Sequence, residues 1–384
     1  VNTTLLVTFH WHSDSTGEYL IHRSSFSRCE TVSLFSLDFD WKAIIMKIMT
    51  KKEKIESNLI CPNCSHKISR TKNGFYCENC NSLYPILNGI PILISAIDER
   101  KRRESEYHSW ISNRYRDLHK MDTYRNIYYH HDSLKPITNL KHSSKTLELG
   151  CGTGYDAAYL LSKGLTVVAT DISIGQVTQA KKELSKNKFK GNAFLYVADA
   201  ENIPFADKSF DAAYITAALH HLQHPRKALM EMKRCIKDDS FIVVAIEPNR
   251  YEWLVVIGFL FSIFKKTLYL FSSSAALIAR KEKTEHWREP NLERTFSICE
   301  LTSLIEHSGL SIIKVKAIWF TLGFVHWFTT LLSKMSKRNW YISRDAERIF
   351  ILIDNFLSTL PLINLFCCNW TVWCRKKETK NLNF

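Results

Sequence analysis

From residue 145 onward, short apolar runs alternate with amphipathic stretches. Runs at 146–149, 165–169, 193–197, 210–215 and 241–246 are rich in Leu, Val, Ile, Ala, Phe and Tyr and have strand length. Between them, 156–162, 175–186 and 225–237 read as helices. Further on, 296–309 reads as an amphipathic helix, and 311–316 and 370–376 as a sixth and a seventh strand. Strands alternating with helices predict an α/β fold: a doubly wound, mostly parallel seven-stranded sheet with helices on both faces, over 141–378.

The flanking regions have other patterns. Residues 98–140 are charged and helical, and Tyr107, Tyr115, Tyr124 and Tyr128 give them an aromatic face, so they are expected to form a helical cap. A small cysteine-bearing module occupies 58–97. Residues 1–45 show no sustained period. They are expected to be a disordered extension or the product of an upstream start, with Met46 or Met49 a natural beginning. Beyond Asn249, blocks at 253–264 and 267–279 are almost wholly apolar and are separated by Lys265-Lys266; another runs 317–332. Each is shorter than the roughly 20 residues a membrane-spanning helix needs. They predict apolar insertions near 250–285 and 317–362 that either cap a greasy pocket or touch a membrane surface through 253–279.

With 45% hydrophobic and 23% charged residues, the chain can build a large core, and wholesale disorder is excluded. The net charge of +14 favours an anionic partner: RNA, an acidic membrane surface or an acidic metabolite. Its densest clusters, 101–103 and 375–377, are short and read as solvated faces. Beyond two Cys-x-x-Cys pairs, the eleven cysteines show no framework spacing, which fits a reducing, cytoplasmic setting. No basic segment leads into an apolar one at the N-terminus, so no secretory signal is expected.

The chemistry concentrates at Leu147-Glu148-Leu149-Gly150-Cys151-Gly152-Thr153-Gly154, where a buried strand meets a glycine-rich turn and then a helix. Glycines allow a tight turn and close approach to a ligand, and the helix N-terminus adds N–H donors. Asp171 ends the next strand, where an acid would bind ribose hydroxyls. The spacing is G-x-G-x-G rather than the G-x-G-x-x-G of dinucleotide enzymes. With Glu148 inside the strand, it resembles the class I S-adenosylmethionine-dependent methyltransferases of the type 11 branch, closely over 145–247. The resemblance implies that Glu148, Gly150, Cys151, Gly152, Gly154, Asp171 and Ile172 form one part of the cofactor site. Asp199 and Ala200, in Val197-Ala198-Asp199-Ala200-Glu201-Asn202-Ile203-Pro204-Phe205, would meet the adenine. Ala217, in Thr216-Ala217-Ala218-Leu219-His220-His221-Leu222, would face the transferred methyl, and His220 is the candidate catalytic residue.

Methyl transfer needs alignment and desolvation more than a fixed catalytic group. The chain lacks an Asp/Asn-Pro-Pro-aromatic sequence after the fourth strand and a Pro-Cys nucleophile. An oxygen or carbon acceptor on a small or lipid-like molecule is therefore expected, ahead of RNA or a non-catalytic regulatory role. Localisation is expected to be cytoplasmic, or peripheral at the inner face of the membrane. Cys61, Cys64, Cys77 and Cys80 carry the spacing of a structural four-thiolate Zn2+ site, their knuckles joined by a hairpin around Asn73-Gly74. With the following 83–93, the module resembles the zinc-ribbon subunit that activates certain methyltransferases, which implies stabilisation or docking rather than catalysis.

Overall fold

The computed structural model describes residues 51–119, 121–250, 294–336, 338, 340–360 and 362–376. The expectations for 1–45 and for the 253–279 block lie outside the described residues. Contacts divide the chain into Val1–Met49 and Thr50–Phe384, and all the described residues belong to the second unit.

All seven expected strands form: β5 (Lys145–Leu149), β6 (Thr166–Asp171), β7 (Asn192–Ala198), β8 (Phe210–Thr216), β9 (Ile236–Pro248), β10 (Leu310–Ile318) and β11 (Asn369–Lys376). Leu147, Val167, Val168, Ala213, Ile215 and Val244 are fully buried, as strands covered on both faces require. The sheet is nevertheless larger and more mixed than seven mostly parallel strands. Four further strands, β1 (Ser69–Thr71), β2 (Gly74–Cys77), β3 (Ser82–Leu87) and β4 (Ile90–Leu93), extend it to eleven, in the order β1-β2-β3-β4-β7-β6-β5-β8-β9-β11-β10. The reason is the open edge of β7. Its unpaired backbone groups accept β4 in parallel register, Ile92 beside Val197 and Leu93 beside Ala198, which buries Ile90 and Leu93. The centre is parallel, while β1–β4 on one flank and β9–β11–β10 on the other pair antiparallel.

The fifth strand also begins earlier than its apolar run suggests. Helix Pro225–Cys235 stops and β9 starts at Ile236, because Ile236 pairs with Phe210. Chain order reverses at β5, which has β6 on one side and β8 on the other. This switch point opens a crevice at the C-terminal ends of the strands. Helix Glu99–Ile111 lies across it, packed on helix Ile174–Ser185.

Candidate active site

The crevice encloses about 860 Å³ of space measured to its open mouth. Its first wall is the glycine turn. Gly150 has φ +65°, and a Cβ there would stand 2.6 Å from the Ala218 methyl, so both its backbone and its surroundings demand glycine. Gly152 has φ +50°, and a Cβ there would meet nothing nearer than the Tyr115 ring at 3.8 Å; it faces the opening. The Asp171 carboxylate fastens this turn. Oδ2 accepts from the Gly152 amide and Oδ1 from the Ser173 amide, each at 2.9 Å. Burial pushes the Asp171 pKa above the ordinary carboxylate value. Helix Ile174–Ser185 is capped by Ser173, not by Asp171.

Gly150, Gly152, Asp171, Ile172, Asp199, Ala200 and Ala217 all line the crevice. Glu148, Cys151 and Gly154 do not. Glu148 lies beneath the turn, and burial with Asp156 nearby pushes its pKa far up. Cys151 is buried, its amide bonded to the Thr170 carbonyl at 2.9 Å. Gly154 packs against Ala180 and Leu184 and starts the Tyr155–Ser162 helix. Asp199 has both oxygens engaged: Oδ1 accepts from the Glu201 amide at 2.9 Å and Oδ2 from Lys101 Nζ at 2.7 Å. Lys101 also reaches Glu201 at 2.8 Å. It leaves its neighbours Arg102 and Arg103 to pair with Glu99 at the surface.

The opposite wall follows β8. The fully buried Glu247 accepts from the amides of Ala218, Leu219 and His220 at 3.0–3.2 Å, and from His220 Nδ1 at 2.9 Å. His220 is thereby held to Glu247 and is absent from the crevice lining, whereas its neighbour His221 lines it. His221 Nδ1 lies 3.0 Å from Oε1 of Glu104, and His108 Nε2 lies 2.9 Å from the same oxygen. Burial acts to raise the Glu104 pKa, but the bonds from His108 and His221 outweigh it and hold the carboxyl at about 2. An ionised carboxylate only accepts, so both imidazoles donate to it, and His221 Nε2 and His108 Nδ1 are left as proton acceptors. Glu104 Oε2 is buried with no hydrogen-bond partner among the described residues. The sequence reading missed Glu104, His108 and Lys101. The signal for the first two was their spacing of four on one helical face.

The four cysteines converge beside the β1–β4 flank of the sheet. Cys61 and Cys80 sulfurs lie 3.5 Å apart, as do those of Cys64 and Cys77, and all four fall within 4.8 Å of one another. A tetrahedron of thiolates at about 2.3 Å from zinc has edges of about 3.8 Å, so the set fits that metal. Asn202 Nδ2 bonds the Pro62 carbonyl and Ala206 N the Asn58 carbonyl, tying this module to the loop after Asp199.

Residues 147–244 match the family described as a methyltransferase domain. A demethylmenaquinone methyltransferase of Paenarthrobacter aurescens is 37% identical over 28% of this chain and 40% of its own length. One from Bacillus velezensis is 24% identical over 56% of this chain and 93% of its own. An O-methyltransferase of Penicillium expansum is 34% identical over 26% of this chain and 36% of its own. Two of these three curated relatives are matched over less than half of their own length. Among solved structures, a methyltransferase from Thermotoga maritima is 17% identical, with a TM-score of 0.41, over 71% of this chain and 99% of its own. Residues 147–244 thus match a methyltransferase domain carried within a longer chain.

Proposed function

We propose that this chain binds S-adenosylmethionine in the crevice and methylates an oxygen or carbon of a small or lipid-like acceptor. The observation that carries this reading is one opening that joins the Gly150–Asp171 wall to a carboxylate holding two histidines. When bound, the cofactor supplies an electrophilic sulfonium methyl. Gly150 and Gly152 allow its close approach, Asp171 offers acceptors to ribose hydroxyls, and the Asp199–Ala200 edge borders the adenine. On the acceptor side, His221 Nε2 or His108 Nδ1 takes the acceptor's proton, and Glu104 stabilises the imidazolium that results. The names of the relatives, a demethylmenaquinone methyltransferase and an O-methyltransferase, are in keeping with such an acceptor. Calorimetry should show S-adenosylmethionine binding with NAD silent, and labelled methyl should pass to a component of a cell extract. Tight NAD binding would overturn the reading.

The four thiolates support a structural zinc ion that stabilises the 58–97 module. Metal analysis of protein purified without chelators should find one zinc per four-cysteine cluster. Cys61→Ser or Cys80→Ser should release it while the central sheet stays folded. Metal-free native protein would show the assignment to be wrong.

A further inference from the structure

The segment between β10 and β11 presents an apolar face that water would not select. Helix Arg344–Leu357 is fixed by two buried acids. Asp354, 1% exposed, accepts from the amides of Phe320, Thr321 and Leu322 and from the Tyr129 hydroxyl, so it holds the start of helix Thr321–Ser336. Glu347 accepts from the Arg125 amide. With these acids turned inward, Ile349, Leu352, Ile353 and Phe356 form a stripe at helical spacing on the outside, Leu352 70% and Phe356 63% exposed. The turn after this helix adds Leu362, Ile363, Leu365 and Phe366, all exposed. A polar-in, apolar-out helix with its orientation locked from behind indicates an apolar partner.

Three observations identify that partner as a lipid surface. Arg338, Arg344 and Arg348 are exposed beside the face; Arg348 pairs with Asp345, the exposed acid of the helix, at 3.1 Å, and Arg344 and Arg348 also lie over the Tyr124 ring, which leaves the exposed charges of the segment net positive. Trp340 and Tyr341, 49% and 79% exposed, give the paired apolar and polar character suited to a bilayer interface. The segment also leaves and re-enters the sheet on the crevice side. Ile318 ends β10 beside Asn369, and Asn369 pairs with Pro248 at the C-terminal end of β9. Strands β5, β6 and β8 run parallel to β9 and carry the crevice at that same end. No described helix is long and apolar enough to cross a membrane.

We propose that residues 340–366 dock the protein on an anionic bilayer, with the crevice at the docked edge; the lipid-like acceptor rests on the methyltransferase reading, and the docking does not. The test is flotation of the full chain with phosphatidylcholine vesicles, with and without phosphatidylglycerol. The wild type should float with the anionic vesicles. Leu352→Asp/Phe356→Asp should cut the bound fraction by about tenfold or more, because both side chains point outward. Its melting temperature and S-adenosylmethionine affinity should match the wild type and so report intact folding. Three results overturn the proposal: a wild type that ignores both vesicles, a double variant that floats as before, or a lipid-free dimer that the double variant turns into a monomer. A photocrosslinker at position 352 that captures 253–279 in the absence of lipid overturns it too. Failure to bind S-adenosylmethionine would strike the methyltransferase reading and leave the flotation result standing.

Discussion

His220 and His221 are neighbours in the chain, and each meets a buried glutamate, yet the two pairs do different work. Glu247 has no exposure, and its oxygens are consumed by three backbone amides and one imidazole. Glu104 accepts from two imidazoles through one oxygen, its other oxygen has no partner among the described residues, and its cluster lines the crevice. A saturated carboxylate anchors a loop; one that spends a single oxygen on two imidazoles holds their free nitrogens for the crevice. The lesson is that histidine–carboxylate distance does not separate structure from chemistry, since the two pairs stand at 2.9 and 3.0 Å. The remaining hydrogen-bonding capacity does.

The largest effect should come from the saturated pair. Glu247→Ala leaves four buried donors without an acceptor, each such loss costing about 1–3 kcal/mol. Urea unfolding should show that loss, and the loop bearing Ala217 should loosen enough to weaken cofactor binding. The cavity-facing pair should behave oppositely. His221→Ala should lower kcat by about 10²–10³-fold through loss of a proton acceptor, with cofactor affinity and unfolding midpoint little changed. If His220→Asn removes activity while His221→Ala spares it, the assignment of the two histidines must be exchanged.

A smaller effect is expected at Asp171, which shares features of both groups. Its oxygens hold the Gly152 and Ser173 amides, as Glu247 holds its loop, yet it lines the crevice as Glu104 does. Asp171→Ala should weaken S-adenosylmethionine binding by about 1.5–3 kcal/mol, the scale of hydrogen bonds to a charged group. Calorimetry against Asp171→Asn separates loss of charge from loss of the turn.

Much of this was legible in the sequence, and what escaped shares one cause. The strands and the glycine turn are local signals: apolar runs of strand length and a strand–turn–helix with fixed spacing. Asp171 follows from its position at the end of β6. The joining of β4 to β7 was not legible, because an edge strand's partner leaves no mark on either sequence. Lys101 sits in a basic run that reads as surface, and only the fold turns it onto Asp199 and Glu201. Choosing between His220 and His221 is a shift of one residue in a 3-10 turn, where no period says which side chain faces in. Glu104 meets His221 only because helix Glu99–Ile111 crosses the crevice.

The smallest effect, the acid response of Glu104, tests whether its carboxyl is ionised in the folded chain. Its carboxyl sits near 2 in the folded chain, below the ordinary value of 4.5, with burial opposing and the two histidines overcoming it. A depressed folded value means that the unfolded chain binds the proton more readily. Stability from Glu104 is therefore fully present above pH 4.5 and is lost as pH falls from 4.5 towards 2. The bound on that contribution is about 3 kcal/mol, from roughly 1.4 kcal/mol for each tenfold change in proton affinity. Glu104→Gln cannot titrate, so wild type should exceed it in urea midpoint at pH 7, and the gap should narrow between pH 4.5 and 3. Other carboxylates titrate in the same range in both proteins and cancel in the difference. A gap that widens between pH 4.5 and 3, below the range in which histidine ordinarily takes up its proton, would mean that Glu104 gains by holding a proton. It could then donate one of its own bonds, and the argument that leaves His221 Nε2 and His108 Nδ1 free to take a proton would fail.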